Sequence, residues 1–218
     1  TIIPSLLAAS LMLSFTGCGG DSTTPTTTPT TTPTTTPTET PTETPTTSTK
    51  ENLSGEITAN KTLTADKVWV LNGLVAVKNG ATLTIEACTT IVGKAGTGAN
   101  TAYLVVDAGS KINATGTVAK PIIFTSETKY DGGTDAWGQW GGLTLIGNAG
   151  NAQVDPYEVN SAFVAGSSDM ADNSGTLKYV KILNSGITME ENKEINGLSL
   201  VGVGSGTTVD NITVDLSD

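Results

Sequence analysis

The chain of 218 residues carries 11 lysines, 21 acidic residues and neither arginine nor histidine, for a net charge of −10. An acidic balance of this kind excludes an electrostatic nucleic-acid interface, and the missing histidine excludes a Ser-His-Asp triad and any histidine-ligated zinc. Two cysteines, Cys18 and Cys88, are too few for a disulfide framework.

Residues 1–17 open with an uncharged apolar run from Ile2 to Phe15. Fourteen residues fall short of the ~20 that a helix needs to cross a bilayer, and they have the length of a signal-peptide hydrophobic region. Phe15-Thr16-Gly17-Cys18 resembles a bacterial lipobox, in which the cysteine becomes the lipidated first residue after cleavage. With no initiator Met and no basic stretch before it, the segment reads as a truncated lipoprotein signal peptide, and Cys18 as the lipid attachment site. Gly19 after the cysteine resembles the sorting position of outer-membrane lipoproteins.

Residues 18–49 read as a disordered tether. Positions 22–49 hold 18 Thr and 6 Pro, with proline at every fourth position from Pro25 to Pro45. Such a composition has nothing to bury, and proline favours extended polyproline II, giving a reach of roughly 85 Å at about 3.1 Å per residue. Its Thr/Pro content also suits an O-glycosylated stalk.

Residues 50–218 change character. Short β-branched runs such as Val68-Trp69-Val70-Leu71, Leu83-Thr84-Ile85, Leu104-Val105-Val106 and Ile122-Ile123-Phe124 alternate with Gly, Asn, Asp and Ser turns. Leu143 to Ile146, Leu198 to Val201 and Ile212-Thr213-Val214 continue the pattern. Period-2 alternation without a helical stripe predicts an all-β domain. A corner recurs: Val77-Lys-Asn-Gly80-Ala-Thr-Leu83, Val106-Asp-Ala-Gly109-Ser-Lys-Ile112 and Val203-Gly-Ser-Gly206-Thr-Thr-Val209. Glycine at a fixed offset lets the chain take φ > 0 and turn from one strand into the next. With residues 93–102 read as an inserted loop, the first two corners imply about 20 residues per coil, a β-solenoid period. The expected inward row is Val77, Leu83, Ile85, Val106, Ile112, Phe124, Leu143, Leu145, Leu198, Leu200, Val209 and Val214. Thr82, Thr84, Glu86, Lys111, Thr144, Ser199 and Thr213 are expected to face solvent. The competing fold is an antiparallel sandwich.

Gly80 to Lys94, Ala119 to Ser126, Trp140 to Asn148 and Gly197 to Val209 resemble bacterial surface lipoproteins, a group that includes the leptospiral outer-membrane lipoprotein family and related right-handed parallel β-helix proteins. The resemblance covers roughly residues 65–215, with Cys88 standing where the family more often has glycine. It implies a right-handed parallel β-helix, here its N-terminal part, and brings no catalytic residues with it.

Candidate sites are few. Asp131 and Asp135, in Tyr-Asp-Gly-Gly-Thr-Asp, offer oxygen ligands to calcium or form a solvated turn. Glu190, Glu191 and Glu194 read as an exposed loop between coils, and Cys88 as a small buried residue. Trp137 and Trp140 lie among glycines, where a ring face can meet a sugar or pack at a corner. No pair of acids recurs at coil spacing. These features together predict a non-enzymatic, lipid-anchored β-helix at the outer membrane, structural or adhesive. It needs no cofactor beyond the lipid on Cys18, and its partners are membrane lipid, an extracellular glycan or a surface protein. The alternative is a carbohydrate-active β-helix that binds or cleaves polysaccharide.

Overall fold

The computed structural model describes residues 48–150, 155–191 and 193–217. Cys18, the signal segment and the tether up to Thr47 lie outside these residues.

From its first turn the chain coils around three faces. Strands β1 (Thr49–Ile57), β2 (Lys61–Leu63), β3 (Lys67–Val77), β4 (Thr82–Ile85) and β5 (Thr90–Gly93) are followed by β6 (Tyr103–Val106), β7 (Lys111–Thr115) and β8 (Ile122–Ser126). A one-turn helix α1 (Glu127–Tyr130) precedes β9 (Leu143–Ile146). Then come β10 (Asp155–Pro156), β11 (Val164–Ala165), β12 (Gly175–Leu183), β13 (Ile187–Glu190), β14 (Lys193–Ile195), β15 (Leu198–Val201) and β16 (Thr208–Asp215). The long strands β1, β3, β12 and β16 bend, so that one strand serves more than one face.

The first face stacks β1, the start of β3, β5, β8 and the end of β12, with β16 last. On the second face β1 and β3 continue through β6, β9 and β15. The third face runs β2, β4, β7, β12 and β16. All of these pairings are parallel, which settles the choice between solenoid and sandwich. Val68 pairs with Thr90, 22 residues on, and Thr49 with Lys67, 18 residues on, so the bare coil is close to the length expected.

Inside, Trp69, Leu83, Ile91, Leu104, Ile112, Ile122, Phe124, Leu143 and Ile182 form one continuous core. Burying each such side chain contributes roughly 1.5–3 kcal/mol. Eight of the expected inward residues, Val77, Leu83, Ile85, Val106, Ile112, Phe124, Leu143 and Leu145, are buried. Leu198 is half-buried against the core. Leu200, Val209 and Val214 depart from expectation, being 44, 40 and 44% exposed. They align with buried Leu145, Leu177 and Ile182, so they point inward as alternation requires. No described strand lies over them, and direction without a covering coil leaves them open.

Thr144 is the opposite correction. It points outward but is completely buried, because residues 155–174 and the β13–β14 hairpin fold over the second face. Tyr103, Val105, Ile146, Tyr157, Phe163 and Ile195 make a second core there. The Tyr157 hydroxyl lies 3.2 Å from Thr144 Oγ1 within it, and burial pushes that phenol up from its ordinary pKa. The Glu190–Glu194 stretch is accordingly part of an antiparallel hairpin, not a plain loop.

The corners divide by mechanism. Gly80 and Gly109 take φ of 75° and 80°, as the turn demands. Gly206 stays out of the left-handed region and is required by crowding, since a Cβ there would lie 2.8 Å from the Ala171 carbonyl. Cys88 sits half-buried in a turn at φ 72°, the backbone of a residue that glycine would suit, and its sulfur is not a free thiol.

Trp140 shows how tightly the coils nest. Its ring stacks on Phe124 with centroids 6.3 Å apart, and its indole N–H donates to the Leu183 carbonyl at 2.8 Å. Gly93 leaves the space: a Cβ there would lie 2.5 Å from Trp140 Cβ. Gly93→Ala is therefore expected to lose about 1–3 kcal/mol in urea unfolding; a variant as stable as wild type would show that Trp140 moves aside freely.

Candidate functional site

The outer side of the first face is the place where polar and aromatic side chains gather without being covered. Its earliest coils are closed: Tyr130 of α1 packs on Val68, Val70 and Val92. Lys50 fastens that lid through Glu127 at 2.9 Å and Asp131 at 2.7 Å. Beyond α1 the face opens over β8, β12 and β16.

At the start of these strands lies a groove of about 390 Å³. The turn through Thr117, Val118 and Pro121 forms one wall, closed by reciprocal backbone hydrogen bonds between Thr117 and Lys120. Tyr179 and Asn211 form the corner, while Lys181 and Thr213 lie along the strands. Lys178 pairs with Asp210 and Val180 with Ile212, so Tyr179 and Asn211 occupy equivalent places in successive coils. Both take left-handed φ, 50° and 53°, and turn their strands from the third face to the first. Below them Gly116 is obligatory, because a Cβ would meet the Tyr179 carbonyl at 2.8 Å.

The lysines around the groove differ in their commitments. Lys178 pairs with Asp210 at 2.9 Å, and that hydrogen bond raises its pKa above the usual lysine value. Lys181 and Lys120 are exposed, and their ammonium groups make no ion pair or hydrogen bond to the described residues. Among the described residues, no carboxylate lines the groove. A second cavity of about 290 Å³ opens between β1 and the outer layer, but its Lys78 is tied to Glu56 at 3.2 Å and lies over the Phe163 ring. An uncommitted cation beside an aromatic ring distinguishes the first.

At the far end of the strands the loop 131–139 carries Trp137, 60% exposed. Asn184 holds this loop, and sequence reasoning missed it; the only signal was Asn-Ser-Gly after an apolar strand. Buried at φ 60°, its amide accepts from Thr125 Oγ1 at 2.8 Å and donates to Asp135 at 2.8 Å and the Ala136 carbonyl at 2.9 Å. Trp137 is thus held beside the groove-bearing face. Trp140 is not: with no exposed surface, it has no face to offer a sugar. The acids proposed for calcium answer to separate lysines, Asp131 to Lys50 and Asp135 to Lys129 at 2.7 Å. No group of three or more Cys, Asp or Glu side chains assembles for a metal among the described residues.

The Lys129 ammonium, and then the Asn184 amide, hold Asp135 below the usual carboxylate pKa. A depressed folded pKa stabilises above the unfolded value, near 3.8, and is lost as pH falls through the folded one. Acidification below the ordinary carboxyl range is expected to speed exchange of the Gly138 and Gln139 amides, which donate to Ser185 and Asn184 carbonyls. The Trp140 indole proton should remain protected. Equal acceleration of all three in hydrogen exchange would refute Asp135 as the local clasp.

Neither a curated protein nor a solved structure matches the chain. Residues 55–217 match the family described as the pectate-lyase like beta helix domain. The match spans nearly all of the coiled region and supports the β-helix part of the resemblance seen in the sequence. It also corrects the expectation that the chain is not an enzyme, since the family takes its description from a carbohydrate-active enzyme. By its coil, its parallel faces and this match, the chain belongs to the pectate-lyase like beta helix domain family.

Proposed function

We propose that this chain is a carbohydrate-active β-helix of the bacterial cell envelope, held by a lipid on Cys18, that takes an acidic polysaccharide across the outer side of its first face. The observation that carries the reading is uncommitted Lys181 beside Tyr179 in an open groove of a pectate-lyase like chain. On an acidic protein, a groove lined by the unpaired Lys181 ammonium, with exposed Lys120 near its wall and no carboxylate among its described lining residues, favours anionic sugar residues. Asn211, Thr117 and Thr213 supply neutral hydrogen-bonding groups, and Trp137 a second aromatic surface at the far end of the strands. Hydrolysis by a carboxylate pair has no acids to draw on in the groove.

A right-handed coil, the rule for parallel crossovers, suits this reading. The lipobox-like Phe15-Thr16-Gly17-Cys18 and the Thr/Pro tether support display from an outer membrane, in the manner of the surface lipoproteins that the sequence resembles. Thioether formation at Cys18 and a disulfide to Cys88 draw on the same sulfur and exclude each other.

Lys181→Ala and Lys120→Ala are each expected to weaken retention on immobilised polygalacturonate by about two- to fivefold, the range of an exposed ion pair, and to lessen its salt dependence. Wild-type protein that is not retained would overturn the functional reading. Metabolic labelling with a palmitate analogue should mark wild type and not Cys18→Ala; equal labelling of both, or an intact Cys18–Cys88 disulfide in the membrane-extracted protein, would end the lipid assignment.

A further inference from the structure

The corner between the third and first faces requires a left-handed residue at position 179, but it does not require an aromatic one. A bulky aromatic at φ 50° inside a strand is disfavoured, because the left-handed conformation drives Cβ toward the following carbonyl oxygen. The equivalent place in the next coil holds Asn211, a residue that tolerates the same conformation. The Tyr179 ring belongs to none of the three apolar clusters, and its hydroxyl makes no hydrogen bond to the described residues. Among the described residues, the cation facing the ring is Lys178, whose Nζ lies 5.6 Å from the centroid and which is paired with Asp210 on its own account. The ring lies instead along the groove, with Asn211 and Lys181 as fellow lining residues.

We infer that Tyr179 is a pyranose-stacking platform, kept in an unfavourable backbone conformation for the sake of its ring. A half-buried aromatic presents a rigid apolar surface to the C–H face of a sugar, at little cost in side-chain entropy. Asn211 and Lys181 are then placed to meet the hydroxyl and carboxylate groups at the sugar's edge. Strain at a residue that the core does not need is the pattern expected where a binding surface, not stability, fixes the side chain. The inference rests on the functional reading above and assigns one subsite within it.

The test compares full-length wild type, Tyr179→Asn and Tyr179→Phe for thermal unfolding and for affinity toward polygalacturonate. Asparagine, already tolerated one coil on, is expected to leave the unfolding temperature unchanged or raise it by about 2–4 °C, while weakening binding about fivefold or more. Phenylalanine, which keeps the ring, should bind within about twofold of wild type. If wild type binds and the asparagine variant binds equally well, the platform is refuted and the functional reading stands. If the asparagine variant melts several degrees lower, the ring serves the fold and the inference fails. Failure of wild type to bind removes the functional reading, and the platform with it.

Discussion

Each coil of this protein has an apolar inner row that it cannot bury alone. Stability is passed from coil to neighbouring coil, and every feature of the chain can be measured against that constraint. Trp140 resting on Phe124, in the room left by Gly93 of the neighbouring coil, is its clearest expression: residues from two adjacent passes of the chain must fit together. The coil of β15 and β16 is the converse. Leu200, Val209 and Val214 face the same way as their buried partners beneath, yet stay wet, because no described strand lies over them.

The stack also decides where variation is tolerated. Corners absorb extra chain, since an excursion between two strands leaves their register with the coils above and below intact. The excursion after β9 uses this freedom to build a second core over the second face. The one after β8 folds α1 onto the early part of the first face and then presents Trp137 further along. What remains uncovered is the later part of the first face, where Tyr179, Lys181 and Asn211 line the groove. The candidate site is thus defined by what the outer layers leave open.

Backbone conformation ties this surface to the coil. The corner between the third and first faces turns through left-handed residues, Tyr179 and Asn211 in successive coils, and a left-handed turn in place of a long loop brings side chains of adjacent coils into one short row. At the other end of β12, Asn184 uses the same conformation to reach both the strand beneath and the Trp137 loop. Of these three joints, two are asparagine, a residue suited to φ > 0, and the third is the aromatic Tyr179.

The solenoid was legible in the sequence because its causes are local and repeated: alternating apolar residues set the inward row, and Gly80 and Gly109 recur where the chain must turn. Even Leu200, Val209 and Val214 point the way their alternation requires. Burial, however, belongs to neighbours. Thr144 was expected in solvent and lies beneath Tyr157. Trp140, a candidate for sugars by the glycines around it, is sealed in the core, where Gly93 of another strand leaves it room. Asp131 and Asp135, close in sequence, answer to lysines on different elements, and Asn184 joins segments that no spacing rule connects. Alternation along a strand fixes which way a side chain points; only the packing of distant segments decides what stands in front of it, and so which residues are left to meet a ligand.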